Sequence, residues 1–287
     1  MTSAAGATGT AAGRSDPERA APSRVSVVLP SRNEAACLPA VLTGLAAALG
    51  EQLHEIIVVD DSDDGVTVGR LEELALTTPS LRWWHRGVGT GLATAVVEGM
   101  RAATGAAVVV MDADGQHPPE LVPRLVAALR MADVAVGSRY AVGGSRAGLS
   151  GWHRLALSRG SRGLAHVCCA RLRATSDPMS GFFALRAGSV DVAALRPAGW
   201  KILAEVLTVA DRATVVDVPF VFADRVAGQS RLDRRAQWES ARHLFGREWD
   251  SPADRRRLLA MGGAAGILLG LAVATAARRG TRPDHGA

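Results

Sequence analysis

The chain reads as an α/β protein whose mostly parallel sheet is flanked by helices, and three features say so. From Val25 onward, short β-branched runs alternate with helical patterns, the sequence form of strand–helix–strand units. The strand segments are near-continuously apolar, as strands buried on both faces are. Several of them end in acidic or polar turns, and ligands of open α/β sheets bind outside the carboxyl ends of the strands.

Val25-Ser26-Val27-Val28-Leu29-Pro30 is the first strand and residues 34–49 form its helix, with Asn33 available as a cap because a short side-chain oxygen accepts from first-turn N–H groups. Glu55-Ile56-Ile57-Val58-Val59-Asp60 is the second strand, followed by a short helix over 68–76. Leu81-Arg82-Trp83-Trp84-His85 is the third, followed by a helix over 90–103. Ala107-Val108-Val109-Val110-Met111 runs into Asp112 as the fourth strand, a helix over 119–130 starts at Pro118-Pro119-Glu120, and residues 133–138 are a fifth strand. The second half is less regular: a helix over 151–170, a strand over 181–185, a helix over 201–210 and a strand over 213–222.

At 287 residues the chain has room for one full core and a small appendage. It is 48% apolar but only 4% aromatic, so Ala, Val and Leu build that core. A net charge of +5, carried mostly by Arg, suits nucleic acid, an anionic membrane surface or phosphorylated small molecules. Basic and aromatic residues do not interleave and no zinc-finger spacing occurs, so no nucleic-acid partner is expected. Cys37, Cys168 and Cys169 are an odd count with an adjacent pair, which favours a reducing compartment over a disulfide framework.

The two ends differ. Residues 1–24 lack a continuous apolar core and read as a disordered leader, not a signal peptide. Residues 232–257 open with an amphipathic stripe of Leu232, Trp238, Ala241 and Phe245, which suits either a membrane interface or an ordinary surface helix. Residues 258–277 are twenty positions without a charge, bracketed by Arg255-Arg256-Arg257 and Arg278-Arg279. Such a helix spans about 30 Å, the hydrocarbon thickness of a bilayer; the competing reading is an Ala-rich packing helix of a soluble domain. Gly262, Gly266 and Gly270 recur every four residues within it, the small-residue pattern of paired membrane helices and of a helix-mediated homodimer. The expected organisation is a leader 1–24, an α/β domain 25–231, a juxtamembrane segment 232–257, a transmembrane helix 258–277 and a tail 278–287.

The chemistry concentrates in Asp112-Ala113-Asp114-Gly115-Gln116-His117-Pro118-Pro119-Glu120. Alternate side chains of a strand point the same way, so Asp112 and Asp114 converge if the strand end stays extended. Two carboxylates with the carbonyl oxygen of Gln116 suit Mg²⁺ or Mn²⁺ holding a diphosphate; the competing reading is a polar turn in which Asp114 caps the helix. The second strand ends in Asp60-Asp61-Ser62-Asp63-Asp64-Gly65, where a carboxylate can accept from the ring N–H groups of a nucleotide base, although such a run is also an ordinary solvated turn. Pro30-Ser31-Arg32-Asn33-Glu34 ends the first. Three acid-bearing loops on one sheet edge make a nucleotide-diphosphate site. A dinucleotide fold is excluded because no G-x-G-x-x-G follows the first strand.

These motifs resemble the GT-A fold, family-2 glycosyltransferases, and within them the polyprenyl-phosphate (dolichyl-phosphate) mannosyltransferases. The resemblance runs from about Val25 to Leu232 and rests on residues 27–34, Gly91 to Gly99, Asp112 to Glu120, Gly137-Ser138-Arg139-Tyr140 with Gly143-Gly144, Asp177-Pro178-Met179-Ser180-Gly181-Phe182-Phe183-Ala184, Gly199 to Leu203, and Arg225 with Gly228 to Leu232. Arg32 stands where an aromatic is common, Gln229 and Arg231 replace Glu and Lys, and the acidic loop is one residue short. The resemblance implies inverting transfer of mannose from GDP-mannose to a polyprenyl phosphate on the cytoplasmic face of a membrane. It further implies metal ligands Asp112, Asp114 and Gln116, nucleotide-sugar contacts from Pro30, Arg32, Glu34, Asp61, Asp112, Arg225 and Arg231, and an acceptor-phosphate clamp of Arg139, Arg154 and Ser158. Arg154 and Ser158 are four apart and share a helix face. Asp177 is placed near the sugar or in a turn, and Phe182 and Phe183 in the core or a sugar wall. A UDP-sugar donor on the same fold and a non-catalytic nucleotide-sugar-binding membrane scaffold are the alternatives.

Overall fold

The computed structural model describes residues 19–87, 91–145, 170–196 and 202–221. Its elements are β1 (Val25–Ser31), α1 (Leu38–Leu49), β2 (Leu53–Asp60), α2 (Val66–Thr77), β3 (Leu81–His85), α3 (Leu92–Ala102), β4 (Ala107–Val110), α4 (Val122–Ala128), β5 (Val134–Ser138), β6 (Phe183–Arg186), α5 (Ile202–Val209) and β7 (Val215–Pro219). The seven strands form one sheet in the order β3-β2-β1-β4-β6-β5-β7. Neighbours pair in parallel except β6, which lies antiparallel to both β4 and β5. The sheet is therefore mixed, mostly parallel and seven-stranded.

Strand side chains alternate between two helical layers. Val25, Val27 and Leu29 of β1 join Leu38, Leu42 and Leu45 of α1 and Leu125 of α4 on one face. Val28 of β1 and Val108 and Val110 of β4 join Val96 and Met100 of α3 and Leu203 and Leu207 of α5 on the other. The central strands β1 and β4 are buried along their whole length because both faces are covered. Gly99 sets how closely α3 lies on the sheet: a Cβ there would stand 2.4 Å from Val28 Cγ1.

Two helix starts lie furthest from the sequence expectation, and proline explains both. α1 begins at Leu38, not at 34, because Pro39 lacks an N–H and clashes inside a helix but fits its first turn. Asn33 accordingly is not its cap; it sits at φ 60°, in the left-handed region. The segment expected as one helix over 119–130 is a 3₁₀ turn, Pro119–Leu121, followed by α4 with Pro123 in its first turn. The strand expected over 181–185 begins later, at Phe183. Residues 19–24, assigned by sequence to the leader, run beside the sheet, where Arg19 pairs with Asp133 at 2.6 Å and Arg186 donates to the Ala20 carbonyl at 3.1 Å. The helix expected over 151–170, the juxtamembrane segment 232–257, the span 258–277 and the tail 278–287 lie outside the described residues. Among the described residues, no helix is long and apolar enough to cross a membrane.

At the amino-terminal edge of the sheet, buried Glu55 of β2 gathers the surrounding strands. One carboxylate oxygen accepts from Ser26 Oγ at 2.7 Å and from the N–H and hydroxyl of Thr104, each at 2.8 Å. The other oxygen takes Arg82 of β3. Burial by itself raises this carboxyl's pKa, but the donors of Ser26, Arg82 and Thr104 outweigh it and hold the group at about 2, against an ordinary 4.5. Stability from this group is thus full above about pH 4.5 and is lost as pH falls through about 2. Glu55→Gln is expected to cost about 2 kcal/mol at neutral pH. The gap from the parent chain in urea unfolding should narrow as pH falls from 4.5 toward 2; a gap independent of pH would assign the cost to shape instead of charge.

Candidate active site

β1, β2 and β4 lie side by side and parallel, so their carboxyl ends meet at one edge. The loops after β1 and β2 are laced together there. Asn33 Nδ2 donates to Asp63 Oδ1 at 2.6 Å, and the Asp63 N–H returns to Asn33 Oδ1 at 3.1 Å. The Asn33 N–H reaches Ser62 Oγ at 2.8 Å, and that hydroxyl donates to Asp60 Oδ1 at 2.6 Å. Left-handed φ is tolerated by Asn because its short polar side chain can bond locally. Asn33 uses it to turn the β1 loop onto its neighbour. Arg32 is exposed and pairs with Asp63 at 3.2 Å, Pro30 is buried in β1, and the Glu34 carbonyl accepts from the N–H groups of Cys37 and Leu38 at 3.0 and 3.1 Å.

Asp61 is buried and held from both sides by one guanidinium. Arg86 Nε and Nη2 donate to its two oxygens at 2.9 and 2.7 Å. The same Arg86 reaches Glu98 at 3.0 Å, the Thr94 hydroxyl at 3.2 Å and the Gly91 carbonyl at 3.2 Å, joining the β2 loop to the start of α3. Burial disfavours its charge, but Asp61 and Glu98 more than compensate and raise its pKa above the usual arginine value. Beside it, fully buried Asp60 accepts from His85 Nδ1 at 2.8 Å. Sequence reading named Asp61 but missed Arg86 and Asn33. Arg86 lies 25 positions from its carboxylate, a separation no motif encodes; Asn33 lies within the motif, where its place before a helix suggests a cap instead.

The third loop departs from the alternation argument. β4 ends at Val110 and the chain bends over 113–115, with Gly115 at φ 77°. A turn, not an extended strand end, therefore carries Asp112, Asp114 and Gln116. Asp114 Oδ1 accepts the Gln116 N–H at 3.0 Å, and neither Pro118 nor Leu121 at the following helix starts is reached by a side-chain cap. Asp114 and Gln116 are buried, while the Asp112 side chain keeps 37% of its surface open. His117 belongs to the core: its Nδ1 accepts the Asp112 N–H at 3.0 Å, and its ring stacks on Phe182 with centroids 4.9 Å apart. Phe182 and Phe183 are fully buried.

β6, running the other way, brings its preceding loop to this same edge. Asp177 is 1% exposed and grips Arg139, at the end of β5, through Nε at 2.7 Å and Nη2 at 2.9 Å. Burial disfavours the Arg139 charge, and Asp177 together with the field of Asp112 reverses the effect and raises its pKa. Ser180 Oγ donates to the Gly137 carbonyl at 2.7 Å, and Ser176 Oγ to Asp217 of β7 at 2.6 Å. Arg154, Ser158, Arg225 and Arg231 lie outside the described residues.

As a donor set, Asp112, Asp114 and Gln116 fit a hard divalent ion, which prefers oxygen ligands and keeps positions open for phosphate. Gly181 leaves the Asp112 carboxylate uncovered where a side chain would crowd it. Among the described residues no group of three or more His, Cys, Asp and Glu is arranged to hold a metal by itself, so such an ion here would depend on the amide and on ligand oxygens.

A sugar-transferase family model, glycosyl transferase family 2, matches residues 26–174. The chain is 37% identical over 250 residues to the dolichol-phosphate mannosyltransferase of Pyrococcus furiosus, covering 86% of this chain and 70% of that one. The chain belongs to glycosyl transferase family 2. It is also 35% identical over 230 residues to the dolichol-phosphate mannosyltransferase of Mycosarcoma maydis, covering 76% and 77%. Its fold is similar to glucosyl-3-phosphoglycerate synthase from Mycobacterium tuberculosis in complex with Mn²⁺, UDP-glucose and phosphoglyceric acid, with a TM-score of 0.57, 21% identity and 80% of each chain covered. This is a glycosyltransferase on a GT-A-like α/β fold.

The Arg139–Asp177 pair yields a stability prediction. Asp177→Ala strands a buried guanidinium and should cost about 3–5 kcal/mol. Replacing both, Arg139→Met with Asp177→Leu, should recover most of that loss in thermal unfolding. An Asp177→Ala chain as stable as the parent would show that solvent already screens the pair.

Proposed function

We propose that this glycosyltransferase transfers mannose from GDP-mannose to the phosphate of a polyprenol, with inversion at the anomeric carbon. The observation that carries this reading is that relatives at 37% and 35% identity, aligned over most of the chain, are both named dolichol-phosphate mannosyltransferases. The residues suit the reaction. Pro30, Arg32, Glu34 and Asp61 border the loops that would take the nucleotide, with Arg86 orienting Asp61 to accept from the base. Asp112, Asp114 and Gln116 would hold Mg²⁺ or Mn²⁺, and the Mn²⁺ in the M. tuberculosis relative in fold supports a divalent ion. When bound, the ion would supply Lewis-acid stabilisation of the diphosphate leaving group. Arg225 and Arg231 would close over that diphosphate.

The acceptor needs cations and no strong base. A phosphate monoester has a second pKa near 6 and is largely dianionic at neutral pH. Arg139, Arg154 and Ser158 would bind it; guanidinium forks suit phosphate oxygens. Two of Arg139's N–H groups already serve Asp177, so its part is to present a fixed charge while Arg154 supplies the adaptable fork. The catalytic domain 25–231 would work on the cytoplasmic face, with 232–257 along the interface and 258–277 as a single span pairing through Gly262, Gly266 and Gly270.

Mass spectrometry of lipids after incubation with mixed nucleotide-sugars tests the whole reading: a polyprenyl-phosphate hexose from GDP-mannose, inhibited by GDP and not by UDP, is the expected product. Labelled product from a UDP-sugar alone would overturn the donor assignment. Full-length chain recovered without detergent in the soluble fraction would overturn the span. Asp114→Ala should abolish divalent-dependent turnover with the fold intact. Arg154→Ala should weaken lipid-phosphate use by roughly ten- to a hundred-fold, the loss of one charge-assisted contact, and leave donor binding nearly unchanged. Arg154→Lys should recover only part, because an ammonium cannot form the bidentate fork.

A further inference from the structure

Gly181 is not required by its backbone. It is absent from the glycines with left-handed φ, so its own conformation is open to any residue. What it lacks is room. A Cβ built on it would stand 3.0 Å from Asp112 Oδ2, 3.2 Å from Oδ1 and 3.4 Å from Cγ, closer than a methyl and a carboxylate ordinarily sit.

Both backbones are tied down where that room would have to be made. On one side Ser180 Oγ donates to the Gly137 carbonyl at 2.7 Å and accepts the Phe182 N–H at 3.1 Å. Phe182 is fully buried, stacked on His117 at 4.9 Å and pressed against Gly137, where a Cβ would lie 2.9 Å from its ring. On the other side the Asp112 N–H is bound to His117 Nδ1 at 3.0 Å and the preceding Met111 N–H to the Val28 carbonyl at 3.2 Å. His117 therefore braces both partners, and the added methyl would press on the Asp112 carboxylate itself.

We propose that Gly181 is a positioning residue for the divalent ion: its missing side chain sets the attitude of the Asp112 carboxylate, and a methyl group there would push that carboxylate out of its ligand position. The inference rests on the metal reading of Asp112, Asp114 and Gln116. Ligand positions must be held within about 0.5 Å for tight coordination, and disturbing the groups that orient a metal ligand typically costs about 10–100-fold in affinity.

The test is an electron paramagnetic resonance titration of Mn²⁺ into the full-length chain loaded with GDP. Gly181→Ala should weaken Mn²⁺ binding about tenfold or more, while GDP affinity measured in EDTA stays at the parent value. Thermal unfolding of the four chains combining Gly181→Ala with Asp112→Ala gives the second readout, since the methyl loses its obstacle once the carboxylate is gone. The Gly181→Ala destabilisation should shrink or vanish in the Asp112→Ala background. Parent-like Mn²⁺ affinity in Gly181→Ala would overturn this inference alone, as would equal destabilisation in both backgrounds. A parent chain that takes up no Mn²⁺ with GDP would overturn the metal reading and this inference together.

Discussion

β1 lies hydrogen-bonded in parallel between β2 and β4, all seven of its residues buried, and the rest of the molecule follows from that placement. A parallel strand cannot be reached by a tight turn, so each return needs a helix, and those helices cover both faces. The apolar cost of exposing such a strand is large: burying a Val or Leu side chain stabilises by about 1.5–3 kcal/mol, and Val25, Val27, Val28 and Leu29 are all fully buried. The register is therefore rigid. Parallel pairing then delivers the carboxyl ends of β1, β2 and β4 to one edge without further design. β6 reaches that edge by the opposite rule. Antiparallel to β4, with Phe183 paired to Val110, it contributes the loop before it, and so Asp177 and Gly181 join Asp112.

That edge collects negative charge, and its internal bonds show how the fold tolerates it. Carboxylates brought together repel and raise one another's pKa unless each finds a cation or donors. Asp61 has the fork of Arg86, Asp177 that of Arg139, Asp60 has Ser62 and His85, and Asp63 has Asn33 and Arg32. The two guanidinium forks are largely buried, with side-chain exposures of 9% and 11%. There solvent screening is weak and a lost partner is costly. Arg32 and Asp63, at 45% and 36%, are screened by water and contribute at most about 1 kcal/mol. The loops are thus anchored by the buried pairs and only trimmed by the exposed one.

How much of this was legible in the sequence depended on the range of the interaction. Leu81–His85 is observed as expected because its limits are set by local turn residues. The three acidic strand ends share an edge as expected, since parallel order follows from strand–helix alternation. Local rules overlooked cost the most. Pro39 and Pro123 each mark a helix start, and the helices expected over 34–49 and 119–130 ran through them. The Asp112–Asp114 convergence was argued from strand alternation, while the chain uses a turn about Gly115 instead. Pairings across sequence had no signal at all: Arg86 to Asp61 spans 25 positions and Arg139 to Asp177 spans 38. The direction of β6 was equally hidden, because a short apolar strand looks the same read either way.

The histidines bear on what kind of acceptor the edge can serve. Transfer to a hydroxyl requires a group positioned to take its proton, and at this edge the described histidines are His85 and His117. His85 Nδ1 is engaged by Asp60 at 2.8 Å. His117 is 2% exposed and accepts the Asp112 N–H at 3.0 Å; its ring sits between Phe182 and Phe220. A base must meet its substrate, and burial on two aromatic rings leaves His117 a brace for the turn that carries Asp112. Beside the carboxylates of this edge stand arginines, Arg86 and Arg139, that stay protonated under any physiological condition. Such cations match an acceptor that arrives already ionised, as a phosphate monoester does at neutral pH.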